Sequence, residues 1–144
     1  MPLRILLADD STVVRRSVGT LLARAQFELL APAANGAEAV RLAGEMAPDL
    51  VILNYAMPGM NGIDAARAIR RMQPTVGMIL LTVTVTECHI AAAFGAGIRG
   101  YVLKFDVVDD LIRAIDAVRR GATYVSPGAS RVVLERYLLK PETP

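Results

Sequence analysis

Four short apolar runs in this chain each end in a polar side chain able to do chemistry. Leu3 to Ala8 closes on the adjacent carboxylates Asp9 and Asp10, Leu50 to Leu53 on the amide of Asn54, Met78 to Leu81 on the hydroxyl of Thr82, and Gly100 to Leu103 on the ammonium of Lys104. Two neighbouring carboxylates suit a hard cation such as Mg²⁺, which prefers oxygen ligands and keeps several of its waters. A helix N-cap would need only one of them. Thr82 could stand in a strand for its β-branching alone, and Lys104 could be a snorkelling strand-end cation. Their common place at the ends of apolar runs argues for more. Buried parallel strands deliver single functional groups in this way to the carboxyl edge of a sheet, where open α/β folds build their sites.

The elements that must position these groups alternate along the chain. Strands are expected at Arg4 to Leu7, Glu28 to Ala31, Leu50 to Leu53, Gly77 to Leu81 and Gly100 to Leu103. Between them apolar residues recur three and four apart, as with Val14, Val18, Leu21 and Leu22 early on and Leu111, Ile115 and Val118 late. Five such units predict a doubly wound α/β fold, a five-stranded parallel sheet with helices on both faces. Asp10 or Ser11 is expected to cap the first helix, Asn35-Gly36 to turn into the second, and Pro74 to end the third. After Gly121 the pattern changes: Ala122 to Ser126 reads as short and extended, Pro127-Gly128 as a break, and Ser130 to Leu139 as one more helix. Val133, Tyr137 and Leu138 share its apolar face, and Pro141 and Pro144 stop it. Residues 1–121 are therefore expected to form one domain, and 122–144 a linker or extra C-terminal helix.

Composition narrows the function. With 144 residues, 53% of them apolar, the chain can build one sizeable core. No apolar run approaches membrane-spanning length and the N-terminus lacks signal-peptide order, so a cytoplasmic, membrane-free protein is expected. A net charge of +2, with the basic residues scattered and only Lys104 and Lys140 as lysines, gives no indication of nucleic-acid binding by this chain. The single Cys88 and single His89 stand at no metal-ligand spacing and read as ordinary helix-start residues.

From about Leu3 to Arg120, the pair Asp9-Asp10, the position of Asn54 before Tyr55-Ala56-Met57-Pro58-Gly59, Thr82, and Gly100-Tyr101-Val102-Leu103-Lys104 together resemble the receiver domain of two-component response regulators. The resemblance implies the flavodoxin-like (βα)5 receiver fold. It assigns Asp9, Asp10 and Ala56 to a Mg²⁺ site, Thr82 and Lys104 to contacts with a phosphoryl group, and Tyr101 to an aromatic switch that turns between exposed and buried states. It also implies a sensor histidine kinase or phosphotransfer protein as partner, an effector domain or partner protein, and a homodimer as one option for the assembly. The segment after Gly121 is similar to the link to a helix-turn-helix effector in one class of these regulators, although the tail has room for only one helix.

Asn54 stands where that family has its phosphoacceptor aspartate. A carboxylate is an anionic nucleophile that can attack phosphorus, whereas a neutral amide oxygen is not usefully so. The expectation is a receiver held unphosphorylated, either by deliberate replacement of the aspartate or as a natural pseudo-receiver that works as a phosphorylation-independent interaction module. Loss of the charge should weaken Mg²⁺ binding and deprive Lys104 of its partner. Tyr101 should then face outward, with Thr82 turned away from Asn54. Output is expected from the surface around Thr82, Tyr101 and the helix beginning near Glu87, where Val85, Ile90 and Ala91 to Ala93 are small and apolar. An enzyme of the haloacid dehalogenase type, which needs a second aspartate two residues after its nucleophile, does not fit Asp9-Asp10-Ser11.

Overall fold

The computed structural model describes residues 2–139. Strands β1 (Arg4–Ala8), β2 (Glu28–Leu29), β3 (Leu50–Asn54), β4 (Gly77–Thr82), β5 (Gly100–Leu103) and β6 (Tyr124–Val125) alternate with helices α1 (Thr12–Arg24), α2 (Gly36–Met46), α3 (Gly62–Met72), α4 (Glu87–Gly95), α5 (Val107–Arg119) and α6 (Pro127–Leu139). The sheet order is β2-β1-β3-β4-β5-β6, and every pairing is parallel. This is the expected α/β receiver fold with one correction: the sheet has six strands, not five. Tyr124 and Val125 pair with Gly100 and Tyr101. Two residues are too few to show any periodicity, so this edge strand is decided by its neighbour. β2 is also shorter than expected, ending at Leu29, with an isolated bridge between Ala8 and Ala33 beyond it.

Alternation along each strand divides the core into two layers. Leu6, Val51, Leu53, Met78, Leu80 and Tyr101 point to the side covered by α2, α3 and α4, while Ile5, Leu50, Ile52, Ile79, Leu81 and Val102 meet α1 and α5. Strands buried on both faces explain the continuous apolar runs in the sequence. The order reverses direction between β1 and β3, the topological switch point where such sheets open a crevice. Asp9 and Asn54 lie at the carboxyl ends of those two strands.

Caps fix where the helices begin. Ser11, of the two candidates, caps α1, its hydroxyl accepting from the Val14 amide at 3.3 Å. Asn35 accepts from the Glu38 amide at 2.8 Å, and Asn61 from the Asp64 amide at 2.9 Å. α3 ends at Met72, just before Pro74. Pro141 and Pro144, expected to stop the last helix, lie outside the described residues, as do the side chains of Tyr137 and Leu138.

Gly62 opens α3 in direct contact with the site strand. A Cβ added there would lie 2.3 Å from the backbone oxygen of Asn54, and the Gly62 amide donates to the Tyr55 carbonyl at 2.8 Å. Any side chain must push the α3 start away from β3. Gly62→Ala should therefore cost about 1–3 kcal/mol of stability, measured by urea unfolding with the slope of the transition unchanged.

Candidate functional site

The four strand ends converge. Asp9 is fully buried, Thr82 and Asn54 nearly so, and Lys104 keeps part of its side chain in solvent. Asp9 Oδ1 accepts from the Ser11 amide at 2.8 Å, and Lys104 Nζ stands 3.1 Å from Asp9 Oδ2. That second oxygen has no hydrogen bond of good geometry, so the ammonium compensates it as a charge. Lys104 thus pairs with Asp9 in place of the charge expected at position 54. With a neutral residue at 54, the remaining buried carboxylate attracts it. Arg15 braces the same turn, donating to the Asp9 carbonyl at 2.6 Å.

Asn54 is tied into the acidic cluster by its amide nitrogen, which donates to Asp10 Oδ1 at 3.2 Å and to the Ala56 carbonyl at 2.7 Å. Asp10, by contrast, is exposed. The oxygens of Asp9, Asp10 and Ala56 are the hard donors a Mg²⁺ ion takes. Two carboxylates and a carbonyl fit such an ion, but two of these oxygens already accept the Asn54 N–H bonds and a third faces Lys104. Among the described residues no group of three His, Cys, Asp or Glu side chains converges as a metal site.

Thr82 and Tyr101 meet at Thr84, a residue that no sequence pattern singles out. The Thr82 hydroxyl accepts from the Thr84 amide at 3.0 Å, and the Tyr101 hydroxyl donates to the Thr84 carbonyl. Tyr101 is fully buried, which overturns the expected outward conformer. The phenol finds a backbone acceptor inside and its ring packs with Leu103, Ile90 and Ala93, so burial leaves no polar atom unpaired. Burial raises its pKa well above the ordinary tyrosine value, and the nearby Tyr55 adds to the shift.

His89 is a second residue whose role was missed. Its ring stands edge-on to Tyr55 at a centroid distance of 4.2 Å and to Tyr101 at 6.1 Å. It therefore lies between the loop after Asn54 and the interior tyrosine. On α4, Ile90 and Ala93 are buried and Ala92 packs partly onto the core, as does Val85 in the preceding loop, so much of the apolar character expected to form an output surface faces inward. Val83, at 70% exposure, is the large apolar residue that the preceding loop presents to solvent.

With the geometry in view, the comparisons are direct. A family model described as the response regulator receiver domain matches residues 5–116. The chain belongs to that family. It is 31% identical over 136 residues to the transcriptional regulatory protein LnrK of Bacillus subtilis (strain 168), covering 94% of this chain and 62% of that protein. To the nitrate/nitrite response regulator protein NarP of Escherichia coli (strain K12) it is 33% identical over 142 residues, covering 98% and 66% respectively. The crystal structure of a LuxR-family two-component response regulator from Aurantimonas sp. SI85-9A1 superposes with a TM-score of 0.91 at 32% identity, over 96% of this chain and 99% of that one. The chain spans under two thirds of LnrK and about two thirds of NarP. As a receiver, it is a signalling domain of a two-component response regulator. No helix among the described residues is long and apolar enough to cross a membrane.

Burial lowers the His89 pKa below its ordinary value. The unfolded chain then takes up a proton first as pH falls below about 6.5. The stability contribution of His89 is full above that pH and declines as pH drops through the folded-state value. Because the chain has one histidine, its imidazole signal is unambiguous. NMR titration should give a midpoint below that of an unfolded peptide, and His89→Gln should flatten the fall in thermal midpoint between neutral and mildly acidic pH.

Proposed function

We propose that this receiver works without phosphoryl transfer at position 54, as a phosphorylation-independent protein interaction module. The observation that carries the reading is the engagement of the Asn54 amide: it offers no anionic nucleophile and fills the acidic cluster with its own N–H bonds. The inward Tyr101, clasped with Thr82 on Thr84, favours this over a switch resting in the tyrosine-out state, since a shape already adopted needs no phosphoryl group to select it. The Mg²⁺ site at Asp9, Asp10 and Ala56 is weak in this reading. At an effective dielectric of about 20, a unit charge about 4 Å from a divalent ion is worth about 8 kcal/mol before desolvation is subtracted, and Asn54 does not supply it. The partners are proteins: a histidine kinase or phosphotransfer protein that recognises the receiver surface, a second copy, or an effector such as those of its DNA-regulating relatives.

The second reading is a phosphorylation-controlled switch trapped by an acceptor replaced with Asn54; the intact set of Asp9, Asp10, Thr82 and Lys104 supports it. One experiment separates the two. The chain and its Asn54→Asp variant are incubated with Mg²⁺ and a small phosphodonor, and intact masses are recorded. The unchanged chain should gain no phosphoryl group; a phosphoryl group found on it, at Asp10 for instance, would refute the acceptor assignment. Asn54→Asp is then compared by amide NMR with and without beryllofluoride. Small shifts around Thr84 and Tyr101 support the fixed module, and large ones the trapped switch. Mg²⁺ should bind Asn54→Asp at least tenfold more tightly than the unchanged chain in one buffer, and equal affinities would remove position 54 from the metal's surroundings.

A further inference from the structure

The loop that carries Lys104 is held from both sides. On one side Lys104 pairs with Asp9. On the other, the residues just before Lys104 are engaged by the start of α6. The Ser126 amide donates to the Tyr101 carbonyl at 2.9 Å, continuing the β5–β6 pairing. One rung further, where β6 has ended, the Leu103 amide donates to Ser126 Oγ at 3.2 Å, so a side chain extends the ladder to the residue next to Lys104. Ser126 occupies the N-cap position of α6, its carbonyl accepting from the Ser130 amide at 2.9 Å, yet its hydroxyl is directed to β5. Ser126 is fully buried, as is Ala129 in the next turn, which packs in one cluster with Tyr101 and Leu103.

Gly128 closes the contact. A Cβ there would lie 2.7 Å from Leu103 Cδ1, 3.3 Å from Asp106 Oδ2 and 3.7 Å from Phe105 Cε2. Three residues around Lys104 thus crowd one position of α6. Asp106 Oδ2, one of these neighbours, is buried without a hydrogen bond. β6 is anchored independently by the Tyr124 hydroxyl, which donates to Asp110 on α5.

We propose that the first turn of α6 is part of the site, with Ser126 and Gly128 as positioning residues for Lys104, and that the seating of α6 in turn reports the state of that lysine. Coupling between two places is reciprocal by thermodynamic necessity. A change that frees Lys104 from Asp9 loosens α6, and a change that lifts α6 alters the grip of Lys104 on Asp9. The extension after Gly121 is then coupled to the acidic cluster through β5 and the loop that carries Lys104. The inference rests on the site reading above only where Mg²⁺ is involved.

The test is amide hydrogen exchange on the full chain, comparing the unchanged protein with Ser126→Ala, Gly128→Val and Lys104→Met. Ser126→Ala and Gly128→Val should each speed exchange at Leu103 to Asp106 about fivefold to tenfold, the size expected for one lost hydrogen bond, relative to Leu53 in β3. Lys104→Met should change exchange at Ala129 to Val133 by a similar factor. Ser126→Thr, which retains the hydroxyl acceptor, should restore protection at Leu103, which a merely space-filling role would not produce. Uniform acceleration that includes Leu53 would mean global destabilisation and count against the coupling. An unchanged α6 in Lys104→Met would overturn it. In parallel, Mg²⁺ titrations followed by the Asp9 and Asp10 amide shifts should show altered affinity in Gly128→Val. If Mg²⁺ binds neither the unchanged chain nor Asn54→Asp, the cation reading fails, and the exchange results decide the coupling alone.

Discussion

A carboxylate with no solvent exposure, Asp9, is the constraint to which the rest of the site answers. An ionised group in that position costs several kcal/mol unless its oxygens are matched. The Ser11 amide meets one oxygen and the Lys104 ammonium the other. The first contact turns the chain from β1 into α1, and the second ties β5 to β1 across the sheet's carboxyl edge. One buried charge therefore sets the start of a helix, the placement of a lysine from a strand distant in sequence, and through that lysine the loop that leads into α5.

Asn54 sits inside this arrangement as a neutral spacer. An aspartate there would compete with Asp9 for Lys104 and add to the repulsion among three carboxylates, which a cation would relieve. The amide instead donates to Asp10 and to the Ala56 carbonyl, giving both a protein donor in place of a cation.

Around that frame the movable parts are fastened by short-range contacts. Thr84 is held by its amide through Thr82 and by its carbonyl through Tyr101, which places the β4–α4 connection under the control of two strand ends. His89 then fills the space between Tyr101 and Tyr55, joining α4 to the loop that follows Asn54. Val125, paired with Tyr101 across β5 and β6, and Ala129 belong to the same core cluster as the tyrosine and the buried residues of α4.

The sequence by itself determined the layer architecture and the identity of the four strand-end groups, because strands buried on both faces must be continuous apolar runs and their carboxyl ends must carry the polar residues. Two helix starts were legible locally: Ser11, one of two candidates, and Asn35 cap the amides three residues on, and Asn61, which the sequence reading did not single out, does the same for α3. Tertiary structure alone decided the rest. β6 is two residues long and exists through pairing with β5. Tyr101 faces inward because Thr84, distant in sequence, offers its carbonyl there. Lys104 turns to Asp9 because burial leaves that charge without another partner. Ser126 bonds to Leu103 because the edge of the sheet presents a free amide where β6 ends. Each of these depends on an interaction between residues far apart in the chain, and no local pattern of residue types encodes which distant group will arrive.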